Sequence, residues 1–164
     1  MADKTNQTNE IKDKELKFTR ILDAPRELVF EAWTDPQHLA EWWGPNGFTL
    51  TTHETDVKPG GEWIFTMHGP DGRDYPNRVH FIEVIKPERL VYRHSGDESK
   101  DPVNFNVTVT FEKQGNKTFL TMDMVFESSE VLTMLNKKYG AIEGAKQNLA
   151  RLEAYLKSTN NKKQ

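Results

Sequence analysis

The sequence predicts an α+β fold in which a curved antiparallel sheet of about seven strands wraps one long C-terminal helix. Two short helices are expected between the first and second strands. Three observations carry this expectation. From Phe48 to Phe126, apolar residues recur at every second position in short runs separated by turn residues. From Leu132 to Leu156 they recur instead at three- and four-residue steps. Between them and the first strand, the stretch Pro25 to Trp63 packs proline-bounded helical patterns, the adjacent pair Trp42-Trp43 and the Pro59-Gly60-Gly61 turn. Tryptophan carries too much apolar surface to be left wet, so Trp33, Trp42, Trp43 and Trp63 are expected to line a common interior.

The elements follow in order. Met1 to Asp13 is polar with only Ile11 to bury, so residues 1–13 are expected to form a disordered tail, residues 14–157 a single domain and residues 158–164 a second flexible tail. Leu16 to Leu22 reads as the first strand, stopped by Asp23-Ala24-Pro25. Proline has a preset φ and no N–H to orphan, so Pro25 opens a short helix with Leu28, Val29, Ala32 and Trp33 on one face. Asp35-Pro36 breaks it, and a second short helix carries Leu39, Trp42 and Trp43 up to Gly44-Pro45. Further strands are expected at Phe48–Val57, Glu62–His68, Arg78–Ile85, Arg89–Ser95, Val103–Glu112 and Thr118–Phe126, joined closely enough for an antiparallel meander. The alternation is cleanest in Val103, Phe105, Val107, Val109 and Phe111, which are expected to share a side with Leu149, Leu152 and Leu156. Ser128-Ser129-Glu130 caps the last helix. Its stretch from Tyr139 to Lys157 is about 28 Å long at roughly 1.5 Å per residue. Gly140 and Gly144 each cost that helix about 1 kcal/mol relative to alanine, which points to a bend or to clearance for a ligand.

Composition removes several classes of function. A chain of 164 residues and 19.0 kDa fits one domain with a sizeable core. With 22 Lys and Arg against 25 Asp and Glu, there is no basic field to collect phosphates, so nucleic acid is not an expected partner. The absence of cysteine excludes disulfides, thiolate metal sites and a cysteine nucleophile. No apolar run approaches the roughly 18 residues needed to span a bilayer, and no apolar signal core opens the chain, so a cytoplasmic protein without integral membrane association is expected. His38, His53, His68, His80 and His94 lack the close spacing that sets two ligands on one face; neither metal nor cofactor is expected. His80 and His94 lie on candidate strands, where an inward histidine beside Glu83 or Glu54 would act as a proton carrier.

The order of elements, together with Phe30-Glu31-Ala32-Trp33-Thr34-Asp35-Pro36, Trp42-Trp43-Gly44-Pro45, Pro59-Gly60-Gly61, Pro70-Asp71-Gly72, Pro87-Glu88-Arg89-Leu90-Val91 and Glu143-Gly144 before Leu149 to Leu156, resembles the homologues of the activator of heat-shock protein 90 ATPase. That family belongs to the START-like (SRPBCC, helix-grip) superfamily, which also holds polyketide cyclases and lipid-transfer domains. The resemblance spans Leu16 to Leu156 and implies a helix-grip container with varied contents. Many relatives carry tryptophan after the Glu-Gly of the last helix. Here the position is Ala145, which implies a deeper pocket.

On that architecture the candidate ligand-binding residues are Trp43, Trp63, Phe65, Met67, Phe81, Tyr92, Phe105, Met122 and Met124, with Tyr139, Ile142 and Ala145 on the long helix. Trp33 and Trp42 are expected to plug the space between the short helices and the sheet. Arg78 and Glu83 have apolar chain neighbours that suggest burial, either as an ion pair or as polar anchors for a ligand. No nucleophile, base and orienting group stand in a recognisable pattern, so no catalytic residue is assigned. The function read from these residues is binding of a small hydrophobic molecule, aromatic, polyketide-like or lipid-like, in a cavity between sheet and C-terminal helix. The alternatives are a cyclase- or hydrolase-type enzyme using cavity His, Glu or Tyr, and a co-chaperone-like interaction module with a protein partner or a second copy of the chain.

Overall fold

The computed structural model describes residues 7–96 and 104–162. Its strands are β1 (Gln7–Lys12), β2 (Glu15–Leu22), β3 (Thr49–Thr55), β4 (Glu62–His68), β5 (Asp74–Ile85), β6 (Arg89–Ser95), β7 (Asn104–Gln114) and β8 (Lys117–Phe126). Helices α1 (Arg26–Thr34) and α2 (Pro36–Trp42) separate β2 from β3, and α3 (Ser129–Tyr139) and α4 (Ala141–Lys162) follow β8. The strands form one antiparallel sheet in the order β1-β2-β8-β7-β6-β5-β4-β3. A meander from β3 to β8 is thus extended by an N-terminal hairpin placed against its last strand. Among the described residues, no helix is long and apolar enough to cross a membrane.

Three expectations change. The stretch expected as a loose N-terminal tail contains β1, paired with β2 from Gln7 opposite Arg20 to Lys12 opposite Glu15. An edge strand is held by backbone hydrogen bonds, so it needs no apolar alternation to announce it, and its Ile11 is exposed. At the other end, α4 continues past Lys157 to Lys162. The C-terminal helical region is also two helices: Gly140 adopts a left-handed conformation (φ 65°, ψ 45°) that caps α3, donating its N–H to Asn136 O at 2.8 Å. Nothing lies near a Cβ added there, so the glycine answers the backbone conformation and not a crowded neighbour. Asn136 Oδ1 then accepts from Ile142 N at 3.1 Å, so one residue helps to end α3 and begin α4.

Side-chain parity decides which sheet face is buried. The inward rows contain Leu16, Phe18 and Leu22 of β2, Leu120 and Met122 of β8, Val107, Val109 and Phe111 of β7, and Leu90 and Tyr92 of β6, all within the core. Leu149, Leu152 and Leu156 of α4 belong to the same cluster at 0% exposure, as expected; Val103 lies outside the described residues. The partners differ from the simplest expectation. The α4 backbone approaches the sheet at β2, while α1 covers β7, where Phe30 and Trp33 meet Phe111 at ring separations of 5.3 and 6.0 Å. Arg20, an inward residue of β2, is 4% exposed; burial lowers its pKa, and Glu153 of α4 opposes that effect.

On the outer face, Asp123 of β8 stands opposite Lys17 of β2 and has an oxygen, Oδ1, that is buried without a hydrogen-bond partner. Burial, then a hydrogen bond and repulsion from Glu15, push its carboxyl from an ordinary 3.8 up to about 6, against a smaller opposing pull from Lys17. The folded protein therefore binds more protons than the unfolded chain between those values. Stability falls as pH rises from about 4 to about 6 and is level with respect to this group above that.

Two measurements check this description. Leu152→Ala removes a fully buried side chain and is expected to cost about 2–5 kcal/mol in chemical denaturation; an unshifted midpoint contradicts the packing. Asp123→Asn is expected to raise the thermal midpoint at pH 7 and to leave it near wild type at pH 4 and below, where the aspartate is already neutral. Destabilisation at pH 7 contradicts the sign.

Candidate functional site

Register brings one end of the sheet's inner face together. Phe126, Phe105, His94, Val79 and Trp63 stand side by side across β8, β7, β6, β5 and β4. Beyond that row, Asn77 of β5 pairs with Phe65 of β4, and Tyr75 pairs with Met67. Several of these inward residues keep accessible surface: Phe105, His94, Asn77, Tyr75 and Met67 are all only partly buried. Met124, Ile142 and Ala145 are likewise partly buried against the core. Inner-face residues nearer the other end, such as Leu90, Val109 and Leu120, have no exposure at all. The named inner-face residues are thus fully covered toward one end and partly accessible toward the other.

A chain of rings links the two regions. Trp42 is fully buried and donates Nε1–H to Ala32 O at 3.0 Å. Trp33 meets Trp42 edge-on at 5.1 Å, Trp42 meets Trp43 at 5.3 Å, and Trp43 meets Trp63 at 5.1 Å. Such edge-to-face pairs contribute about 0.5–1.5 kcal/mol each beyond simple burial. Trp63 stacks on Phe65 at 3.8 Å and donates its N–H to Thr52 Oγ1 at 3.0 Å. His94 then lies 6.0 Å from Phe65 and 5.0 Å from Phe105, which stacks on Phe126 at 4.9 Å. Trp33 and Trp42 are the plugs expected between the short helices and the sheet; Trp43 and Trp63 connect them to the accessible end.

Helix α4 fixes the segment that carries Trp43. Arg151 directs Nη1 at the carbonyls of Trp43, Gly44, Pro45 and Phe48, at 3.3, 2.9, 3.0 and 3.3 Å. Burial lowers the Arg151 pKa, and carbonyl dipoles replace the lost water around its charge. Asn148 Oδ1 accepts from Gly44 N at 2.9 Å, and Gln147 Oε1 accepts from Asn46 N at 3.0 Å. Gly44 has φ 101°, and a Cβ there would fall 2.7 Å from Met67 Cε, so the methionine tip lies directly on this glycine. Across the same contact, Pro45 Cγ lies 3.4 Å from the Cβ position of Gly144. That distance is an ordinary contact, so an alanine would fit at this position of the helix.

The polar centre of the accessible end is His94. Asn77 Nδ2 donates to Tyr75 O at 2.9 Å, leaving Asn77 Oδ1 to face His94 Nε2 at 2.8 Å. Burial pulls the His94 pKa from 6.5 down to about 4, so its ring is neutral at physiological pH. The neighbouring Tyr92 phenol is pushed up by burial and stays protonated.

The expected site residues divide clearly. Trp43, Trp63, Phe65, Phe81, Tyr92 and Met122 are buried in the core; Met67, Phe105, Met124, Ile142 and Ala145 retain accessible surface. The Tyr139 side chain lies outside the described residues. Arg78 and Glu83 are corrections: both point to the outer face, Arg78 bound to Glu62 at 3.1 Å and Glu83 to Arg89 at 2.8 Å. Arg78 has apolar neighbours in sequence because those neighbours point the other way. Strict alternation would carry Glu83 inward after Val79 and Phe81, but a register shift between Phe81 and Glu83 turns it outward and sends Val84 to the core. His80 is also outward, near Glu62. Asn77 and Arg151 were not anticipated; Asn77 precedes the expected start of its strand, and nothing local in the sequence marks Arg151 as a loop clamp.

Two other features lie outside this accessible end. Glu31, Asp35 and His38 bring one ligand atom each within 4.8 Å. Their hydrogen bonds serve packing: His38 Nε2–H donates to Glu31 Oε1 at 3.0 Å, its Nδ1 accepts from Tyr155 of α4, and Asp35 Oδ1 caps α2 at Gln37 N. A cleft of about 280 Å³ is lined by Lys14, Arg93, Asn104, Asn106, Val125 and Glu127 together with Phe105 and Phe126. Its polar lining belongs mostly to the outer face.

Similarity to known proteins follows the same architecture. A protein from Arthrobacter aurescens is 25% identical with a TM-score of 0.87, the match covering 94% of this chain and 93% of that one. Protein Ms6760 from Mycobacterium smegmatis is 26% identical with a TM-score of 0.79, over 93% and 96% of the two chains. The AHSA1 protein from Silicibacter pomeroyi shares the fold at 21% identity and a TM-score of 0.73, over 88% and 99%. No functionally curated protein matches the sequence. Residues 23–157 match the model of the family described as "Activator of Hsp90 ATPase homolog 1-like protein", and the chain belongs to that family.

Proposed function

We propose that this protein binds a small, planar hydrophobic molecule between the open end of the sheet's inner face and the N-terminal half of α4. One observation carries the reading: Met67, Phe105, Met124, Ile142 and Ala145 pack against the core yet keep accessible surface, while inner-face residues such as Leu90, Val109 and Leu120 have none. Apolar inner-face surface left wet favours an apolar occupant. Methionines at two of the five positions suit an irregular ligand outline, since their side chains adapt at little cost.

The side chains support binding over acid–base catalysis. A proton-transfer group works best with a pKa near the operating pH. His94, at about 4, is a weak base, and Tyr92 holds its proton more firmly than a free phenol. Glu83, considered as a partner for an inward histidine, is on the other face in an ion pair with Arg89.

Ala145→Trp tests the location. The variant is expected to keep a wild-type circular dichroism spectrum while weakening a planar apolar compound, such as a flavonoid- or polyketide-like aromatic, by at least tenfold, about 1.4 kcal/mol. Fluorescence or calorimetric titration against one compound panel measures this. Failure of the wild type to bind any apolar compound at about millimolar affinity, roughly 4 kcal/mol, removes the proposal and favours the protein-interaction alternative.

A further inference from the structure

His94 places a hydrogen-bonding nitrogen within the accessible aromatic end. Taking the cavity reading above as its premise, we propose that His94 is a specificity-determining residue. It accepts a hydrogen bond from the ligand and selects planar aromatics that carry a hydroxyl over matched ethers and carboxylates.

Asn77 sets the tautomer of His94. Its Nδ2 is committed to the Tyr75 carbonyl at 2.9 Å, which fixes the amide orientation and turns Oδ1 toward His94. A carbonyl oxygen accepts only, so the imidazole proton resides on Nε2, 2.8 Å away. In a neutral ring that tautomer makes Nδ1 an acceptor. Among the described residues, Asn77 is the hydrogen-bond partner that His94 has, so the second nitrogen is left for a ligand or water.

The surroundings decide what that nitrogen prefers. Trp43, Phe65 and Phe105 surround the ring at 6.4, 6.0 and 5.0 Å, while the residue as a whole is only partly buried. A planar apolar ligand entering here would displace water from Nδ1. If it brings no donor, the acceptor is left desolvated and unpaired; a hydroxyl replaces the lost water bond. Ring neutrality, maintained by burial, gives a carboxylate no compensating charge, and its oxygens would face an acceptor. The expected ligand chemistry is therefore an uncharged aromatic with at least one O–H donor.

The test titrates the full chain at pH 7.5 with 2-naphthol, 2-methoxynaphthalene and 2-naphthoate, using wild type, His94→Leu and Asn77→Leu. Wild type is expected to bind 2-naphthol at least tenfold more tightly than either analogue. In His94→Leu the naphthol-to-ether ratio is expected to fall to about one while the ether still binds. Asn77→Leu frees the tautomer and is expected to reduce the ratio. Nitrogen-15 spectra of the wild-type imidazole provide a readout that does not depend on the variants folding. Naphthol is expected to move the Nδ1 resonance, and methoxynaphthalene to move it far less. Equal binding of naphthol and ether by wild type, survival of the ratio in His94→Leu, or an unmoved Nδ1 resonance on saturation with naphthol overturns the role of His94 while leaving the cavity intact. Binding of none of the three compounds overturns the cavity reading and this inference together.

Discussion

Leu149, Leu152 and Leu156 commit one stripe of α4 to the core, where none of the three has any solvent exposure. With that face fixed, Gln147, Asn148 and Arg151 are left to hold the segment after α2, and Arg151 alone reaches four of its backbone carbonyls. The helix is thus anchored to the sheet by apolar burial and to the loop by charge-assisted hydrogen bonds. The second anchor depends on the first, because a helix free to rotate could not keep these three side chains on the loop. Trp43 owes its place beside Trp63 and Phe65 to this arrangement.

The consequence for function is an interior of two qualities. Toward the α1 and α2 side, Phe30, Trp33, Trp42 and Phe111 fill the space between helices and sheet at ring-contact distances. Toward the other end, the aromatic chain continues through His94 to Phe105 and Phe126, but the apolar surface around it is incompletely covered. Incomplete burial forgoes about 25 cal/mol for each Å² of apolar surface left in water. A ligand that covers this surface recovers part of that free energy, which is the physical sense in which such a site favours an apolar guest.

Much of the scaffold was legible because it rests on local periodicity. The limits of β4 and β6, the buried Val107, Val109 and Phe111, and the serine cap of α3 all follow from patterns visible over a few residues. The family resemblance was legible from ordered motifs, and the structural and family comparisons agree with it. What escaped depends on partners distant in sequence or on departures from strict alternation. β1 is an edge strand defined by backbone pairing, Glu83 is turned outward by a bulge, and Asn77 lies in a strand that begins four residues before the expected Arg78. That the aromatic and methionine residues belong to the inner face was readable by type and parity. The separation of filled core from accessible patch was not, since it depends on how two helices and a loop cover a curved sheet.

The proposed function puts an apolar ligand at the accessible inner-face end and not in the outer cleft. Chemical-shift mapping of the isotope-labelled protein with naphthalene tests it directly. Saturable shifts are expected for the Met67 and Met124 methyls, the Ile142 and Ala145 methyls, and the His94 and Phe105 rings. Saturable shifts confined to Lys14, Arg93, Asn106 and Glu127 around the outer cleft, or no saturable shifts at all, would contradict it.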